Sequence, residues 1–476
     1  MTKVPTEGIA TSLDEHFESV AERHDIPGIA FGLVHHGRLV HTGGVGTVRV
    51  GAAEIPTLDT PSRICSMTKS FTAAGLLMLR DEGRLALDEP VEAYVPLLRA
   101  LDPPTSDSPR VTVRHLMSMA SGLPEDNAWA DRHLADPPED VDRIFAAGAT
   151  FARAPGVAYE YSNLGWGMLG RVVEAIAGEP VQAFLTDRIL GPLGLSATTW
   201  DRPDGDVLTG YRRQDDVWLQ EPEPLTDGAF VAGGGLWSTV RDVGAWIVFL
   251  MDAFPPRDDP DTGLVSRASR REMQQVHRTR PSSLDEETGR LTAGGYGFGL
   301  VVEHDLRFGT IVRHAGGLPG FASHMMWVPD RRAGLVILTN LTDVPTGIVS
   351  LEALERLDDL GALPEATAEP TPQLRAACDG VIGLLIEHWD DDIADRLFAD
   401  NVDQDEPRER RREQAEALRD EHGPFTADRI SAKSRTEAAI RLQGSGGVTE
   451  VEVLLSPLVP SRVQSYKVTP PADRPH

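Results

Sequence analysis

The chain has 476 residues, 41% of them hydrophobic and 25% charged, an ordinary soluble globular composition with room for one large domain and a smaller one. Its formal charge of −27 excludes a phosphate-tracking surface and with it a nucleic-acid partner. The two cysteines, Cys65 and Cys378, stand far apart and exclude a disulfide scaffold or a cysteine-based metal pattern.

The start, Met1-Thr2-Lys3-Val4-Pro5-Thr6-Glu7, shows no basic start, apolar stretch and small-residue cleavage site, and no run approaches a membrane span. A cytoplasmic protein with no membrane partner is therefore expected. Leu13, Phe17 and Val20 recur at helical spacing and predict an amphipathic helix over 11–24. Gly28–His35 reads as a buried strand, His36-Gly37 as a turn, and 38–42 as the returning strand of a hairpin; His35, His36 and His41 read as hairpin surface, without the spacing of zinc ligands.

Met67–Arg80 is apolar nearly all round and predicts a central buried helix. Helical signals continue at 113–119, 140–147 and 163–177. Strands are expected at 299–303, 310–313, 321–328 and 334–339, with Asp330-Arg331-Arg332 turning the last pair, and then a helix over 348–360. Strands at both ends with helices between predict one mixed domain over 1–361. Its antiparallel sheet is closed by the two chain ends and packed against helices.

Residues 362–373 are rich in Pro and Ala and read as a linker. Beyond it, helices near 374–390 and 405–420 and strands at 438–442, 449–455 and 463–468 predict a small separate α+β unit, 374–476. The basic run Arg408-Glu409-Arg410-Arg411-Arg412 reads as a solvated helix face.

Three short segments carry chemistry. In Cys65-Ser66-Met67-Thr68-Lys69-Ser70, a helix beginning at Ser66 places Ser66 and Lys69 three apart on one face. A serine hydroxyl needs an adjacent base, and a lysine in an apolar helix can become one, because desolvation lowers its pKa. Only four lysines occur, Lys3, Lys69, Lys433 and Lys467. An otherwise arginine-rich chain thus keeps, at position 69, a lysine, which unlike arginine can give up its proton at working pH when desolvated. Cys65 reads as a small buried packing residue.

The second segment is Tyr159-Glu160-Tyr161-Ser162-Asn163, a loop entering a helix, where the Tyr161 phenol and Asn163 amide can face one cavity. The third is His314-Ala315-Gly316-Gly317 at a strand end, where glycines admit close backbone approach and a free N–H can face an oxyanion. Glu125-Asp126 reads as a loop near the cleft mouth rather than an acid pair.

In this order the three segments resemble the motif set of the serine β-lactamase and penicillin-binding-protein superfamily. The likeness is to the branch of class C β-lactamases and family VIII esterases, which includes penicillin-binding-protein-type thioesterases. His115-Leu-Met-Ser-Met-Ala-Ser-Gly-Leu, Tyr161-Ser-Asn-Leu-Gly-Trp-Gly-Met-Leu-Gly and Gly233-Gly-Gly-Leu-Trp-Ser-Thr strengthen it, over roughly residues 10 to 360. The resemblance implies a β-lactamase-like α/β fold, an antiparallel sheet flanked by helices with a helical insertion. It implies Ser66 as nucleophile, Lys69 as base and Tyr161 as proton shuttle. Asn163 would orient Lys69 and substrate. His314 would tune Tyr161 or bind an acyl substituent. Gly316 and Gly317 would lie along the substrate, with the N–H groups of Ser66 and Gly317 forming an oxyanion hole. No metal and no organic cofactor is implied.

His314 stands where penicillin-active members keep a lysine, which argues against penicillin as the physiological substrate. The tail after 370 lies outside the likeness. Three readings follow: a hydrolase of esters, amides or D-configured peptides; an acyltransferase or peptide-cyclising thioesterase; and a binding protein that kept the fold. The partner is a small-molecule or peptide acyl substrate, and the oligomeric state is left open.

Overall fold

In the computed structural model, which describes residues 6–222, 228–261, 263–284, 290–364 and 370–471, the chain opens with helix α1, Thr6–Arg23, which buries Leu13, Phe17 and Val20. Strands β1 (Gly28–His35) and β2 (Arg38–Gly46) follow as a hairpin. His36 and Gly37 turn it with φ of 50° and 71°, the left-handed pair that matches strand twist in a two-residue loop. β1 is buried along nearly its whole length, so its sheet is covered on both faces.

Helix α2 (Thr68–Asp81) is entered through a tight turn at Cys65–Met67, and every residue from Thr68 to Leu79 is buried. The nucleophile candidate therefore sits in that turn, just ahead of the helix, and keeps the three-residue offset to Lys69. Helices α3 (Asn163–Ala177) and α4 (Val240–Met251) complete the helical stretch that positions the site.

Strands β3 (Leu291–Tyr296), β4 (Val301–Asp305), β5 (Gly309–Leu318), β6 (Phe321–Val328) and β7 (Ala333–Thr339) precede helix α5 (Thr346–Asp359). The sheet is antiparallel in the order β2-β1-β7-β6-β5-β4-β3, with two-residue strands at Arg278–Thr279 and Ser283–Leu284 pairing with the outer edge of β3. The first strand lies against the last, Ile29 opposite Thr339 and His35 opposite Ala333. α4 packs against one face and α5 against the other, with α1 beside α5. This is the mixed α/β architecture expected, a large antiparallel sheet flanked by helices.

Two differences bear on the site. Strand β3 was not anticipated, because Leu-Thr-Ala-Gly-Gly-Tyr reads as a loop by composition; pairing with β4, Tyr296 opposite Val301, makes it a strand. β5 runs past the expected end at Arg313 to Leu318, which puts His314–Gly317 inside the strand. β4 pairs with β5 only as far as Arg313, whereas β6 pairs with it through Leu318. Among the described residues the 314–318 segment is thus a free sheet edge.

The chain divides into two compact units between Pro364 and Glu365. Ala362 and Leu363, expected in a linker, are buried with the core of the first unit, and Pro372 already begins helix α6 (Pro372–Ile382); 365–369 lie outside the described residues. The second unit adds helix α7 (Arg408–His422) and strands β8 (Thr426–Ala432), β9 (Glu437–Gly444), β10 (Gly447–Leu455) and β11 (Val463–Thr469), paired in that order. Their core includes Leu374, Val381, Ile440, Val451 and Val453. The basic run is not simply a solvated face. Arg408 pairs with Asp395 and Asp403, and Arg411 lies over the Tyr466 ring and donates to Val402 O at 3.1 Å. No helix among the described residues is long and apolar enough to cross a membrane.

Candidate active site

The site is assembled where the turn before α2, the loop before α3 and the free edge of β5 meet. The turn is held by long-range contacts. Cys65 takes a φ of 51°, a left-handed conformation costly for a residue with a side chain. It is tolerated because the residue is fully buried against β5. Its thiol donates to Arg63 O, and burial pushes its pKa up to about 12. This is an inert packing group.

Lys69 is fully buried and all three Nζ hydrogens are placed: on Ser66 Oγ at 2.9 Å, Asn163 Oδ1 at 2.8 Å and Gly233 O at 2.8 Å. Burial lowers its pKa to about 7, against the opposing charges of Asp131 and Asp126. A large fraction is therefore neutral near pH 7, with a lone pair for the Ser66 hydroxyl proton. Nζ also lies 5.0 Å from the centre of the Tyr161 ring.

Tyr161 is hydrogen-bonded with Ser66, and burial, the largest influence, pushes its pKa well above that of a free phenol. At working pH it is a neutral phenol that holds a proton, not a phenolate that takes one.

Asn163 opens α3. Its Nδ2 donates to Asn127 Oδ1 at 2.8 Å and Asp126 Oδ1 at 3.2 Å, which fixes Oδ1 toward Lys69. Both amide hydrogens are thus committed within the protein, so the amide holds Lys69 and leaves no donor for a substrate carbonyl.

Asp126 emerges as the organiser of this corner. It accepts from Asn163 N at 2.7 Å, Leu164 N at 2.8 Å and Ser162 Oγ at 3.1 Å, placing a carboxylate on the free N–H groups and positive dipole end of α3. It lies far back in the chain from Asn163, so no local pattern announces it; the local cap is Ser162, whose Oγ accepts from Gly165 N at 3.2 Å.

The third segment divides by position. Gly317 lines the same cavity as Ser66, and a Cβ built there meets nothing within 4 Å. Gly316 faces the other way: a Cβ would stand 2.2 Å from Ser323 Oγ and 2.4 Å from Ile64 O. Its bare backbone lets the nucleophile turn press on β5, so it shapes the site rather than facing substrate.

His314 is only 3% exposed. Its Nδ1 lies 2.6 Å from Ala315 O and must donate, because a carbonyl only accepts; Nε2, 2.9 Å from Tyr296 Oη, therefore accepts from the phenol. Burial, aided by the Lys69 charge, lowers its pKa to about 3. The ring is neutral, has no nitrogen left for an acyl substituent, and packs near Tyr161 at 6.4 Å between ring centres.

The structure thus brings Ser66, Lys69, Tyr161, Asn163 and Gly317 together, with His314 and Gly316 behind them. Asp126, Asn127, Gly233, Tyr296 and the cavity-lining Asp131 join them without having been singled out for the site. Gly233 lay within a quoted segment, but its carbonyl gave no signal of reaching Lys69.

A family model described as Beta-lactamase matches residues 13–356. "Protein flp" of Staphylococcus aureus (strain MW2) is 27% identical over 339 residues, covering 69% of this chain and 62% of that protein; the chain spans less than two thirds of that relative's length. "Penicillin-binding protein 4*" of Bacillus subtilis (strain 168) is 26% identical over 343 residues, covering 68% of this chain and 70% of that protein. The solved structure of the octameric penicillin-binding protein homologue from Pyrococcus abyssi superposes with a TM-score of 0.63 at 22% identity, covering 94% of this chain and 91% of its own. That likeness in fold extends beyond the residues the family model matches.

Proposed function

Because the chain belongs to the beta-lactamase family, a family of serine acyl-transfer enzymes, we propose that it forms an acyl-enzyme on Ser66 and passes the acyl group to water or to an amine. The observation that carries this reading is the 2.9 Å contact between Ser66 Oγ and the buried amine of Lys69.

In the proposed cycle, neutral Lys69 takes the Ser66 hydroxyl proton as Oγ bonds to the substrate carbonyl carbon. The oxyanion that forms lies between the N–H groups of Ser66 and Gly317, where fixed donors act with little reorganisation. Tyr161 gives its proton to the leaving atom as the bond to carbon breaks, and Lys69 returns a proton to Tyr161. In the second half the incoming water or amine loses a proton to Lys69, Ser66 Oγ leaves with one from Tyr161, and Lys69 again returns its proton to Tyr161, which restores the starting state. Asn163 and Gly233 hold Lys69 in line throughout.

Burial of the two ionisable groups supports the division of labour: it lowers Lys69 to about 7 and raises Tyr161, making one the base and the other the acid. Substrates with simple ester, amide or peptide acyl groups fit this machinery. Intact-mass spectrometry after rapid mixing with an activated ester tests it: a mass increase of one acyl group on Ser66 is expected, and turnover without acylation would overturn it.

A further inference from the structure

The cavity at Ser66 is small, about 20 Å³, room for one group the size of a water molecule. Ala130, Leu134, Phe230 and Leu318 give it apolar walls, and Asp131 is the only ionisable side chain among its described lining residues. That carboxylate is half-buried. Among the described residues nothing hydrogen-bonds or ion-pairs with it.

The nearby cations are committed elsewhere. Lys69 directs its hydrogens to Ser66, Asn163 and Gly233, and Arg132 reaches Glu221 at 3.7 Å. Burial raises the Asp131 pKa to about 6, with Lys69 opposing the rise. When Lys69 is neutral, as a base must be, the half-buried Asp131 carboxylate loses the nearby charge that favours its ionised form, and an incoming cation restores one.

We propose that the acyl donor carries a primary ammonium next to its reactive carbonyl, as an aminoacyl ester or amide does, that the Ser66 cavity holds this ammonium, and that Asp131 is the residue that selects it. The inference rests on Ser66 being the nucleophile. An α-ammonium lies two bonds from the carbon that Ser66 attacks, which suits a cavity shared by Ser66 and Asp131. Its size suits the cavity, whereas a quaternary amine is too large. Phe230, with Trp129 edge-on to it at 5.8 Å, adds aromatic surface favourable to a cation. A substrate carboxylate at this place would be repelled.

The test compares two isosteric p-nitrophenyl esters, of alanine (both enantiomers) and of isobutyric acid, at about pH 7. With each kcat/KM divided by that ester's uncatalysed hydrolysis rate, which removes the activation an α-ammonium gives its own ester, wild-type protein should favour the faster alanine ester about tenfold or more, in line with a charge-assisted contact. In Asp131→Asn that ratio should fall about tenfold, and Asp131→Glu should restore part of it. The ratio cancels any change in Lys69 basicity common to both esters. A wild-type ratio at or below one, or a ratio untouched by Asp131→Asn, overturns the proposal, and the wild-type arm decides even if the variants do not fold. Turnover of neither ester, with no acyl group found on Ser66, overturns the nucleophile assignment and this inference with it.

Discussion

The Nζ of Lys69 lies 2.9 Å from the Oγ of Ser66, and its other two hydrogens are anchored on Asn163 and Gly233. The amine therefore cannot swing aside when it loses a proton; its lone pair must appear toward the serine. Position and basicity are fixed by the same burial.

Lys69→Arg should be as inactive as Lys69→Ala, each losing about 10²-fold or more in acylation rate. A guanidinium keeps the charge but cannot release a proton, and it has no room in a fully buried site. Single-turnover kinetics with an activated ester measure this. Comparable acylation by Lys69→Arg and wild type would make the lysine an electrostatic group only.

Acylation should rise with pH through about 7 and fall below it, because the active lysine is the deprotonated one and its pKa is lowered to about 7. Tyr161 is shifted upward by burial, so it stays protonated and sets no descending limb near neutrality. A kcat/KM profile tests both signs. A rate falling as pH rises through 7 would contradict the assignment.

Asp126→Ala should destabilise the protein by about 1–2 kcal/mol through loss of its hydrogen bonds to the Asn163 and Leu164 N–H groups at the start of α3 and slow acylation by releasing Asn163. Asp126→Asn should retain more stability. Because the Asp126 charge raises the Lys69 pKa, both changes should move the rising limb of the pH profile to lower pH. Thermal unfolding and the profile together separate capping from electrostatics.

Small activated esters should be turned over more readily than nitrocefin. A lysine at this strand position would offer a permanent cation to a ring carboxylate; His314 is buried, neutral with its pKa near 3, and engaged by Ala315 and Tyr296. Simple esters need nothing that is missing. Nitrocefin turnover matching that of a dedicated β-lactamase would show that another group supplies the cation.

The two chain ends of the sheet, the buried α2 and the helix after Tyr161 were legible in sequence because apolar periodicity dictates them: α2 is buried from Thr68 to Leu79, as its unbroken apolar run requires. Ser66, Lys69, Tyr161 and Asn163 were legible as local spacings. β3 was not, since two glycines mask a strand made by its partner, nor was the edge strand β8, whose exposed Thr-Ala-Asp-Arg lacks alternation. Asp126 was legible only as part of a loop near the cleft mouth and Tyr296 not at all, because their work is done across the fold, with Asn163 and with His314. For His314 and Gly316 the motif gave the place but not the direction each faces.

The most direct test of the central claim is fluorophosphonate labelling followed by intact-mass and peptide mass spectrometry on wild type and Ser66→Ala. One adduct per chain is expected, on Ser66, absent from a folded Ser66→Ala and formed far more slowly by Lys69→Arg. Equal labelling of Ser66→Ala, or an adduct mapped to another residue, would contradict it.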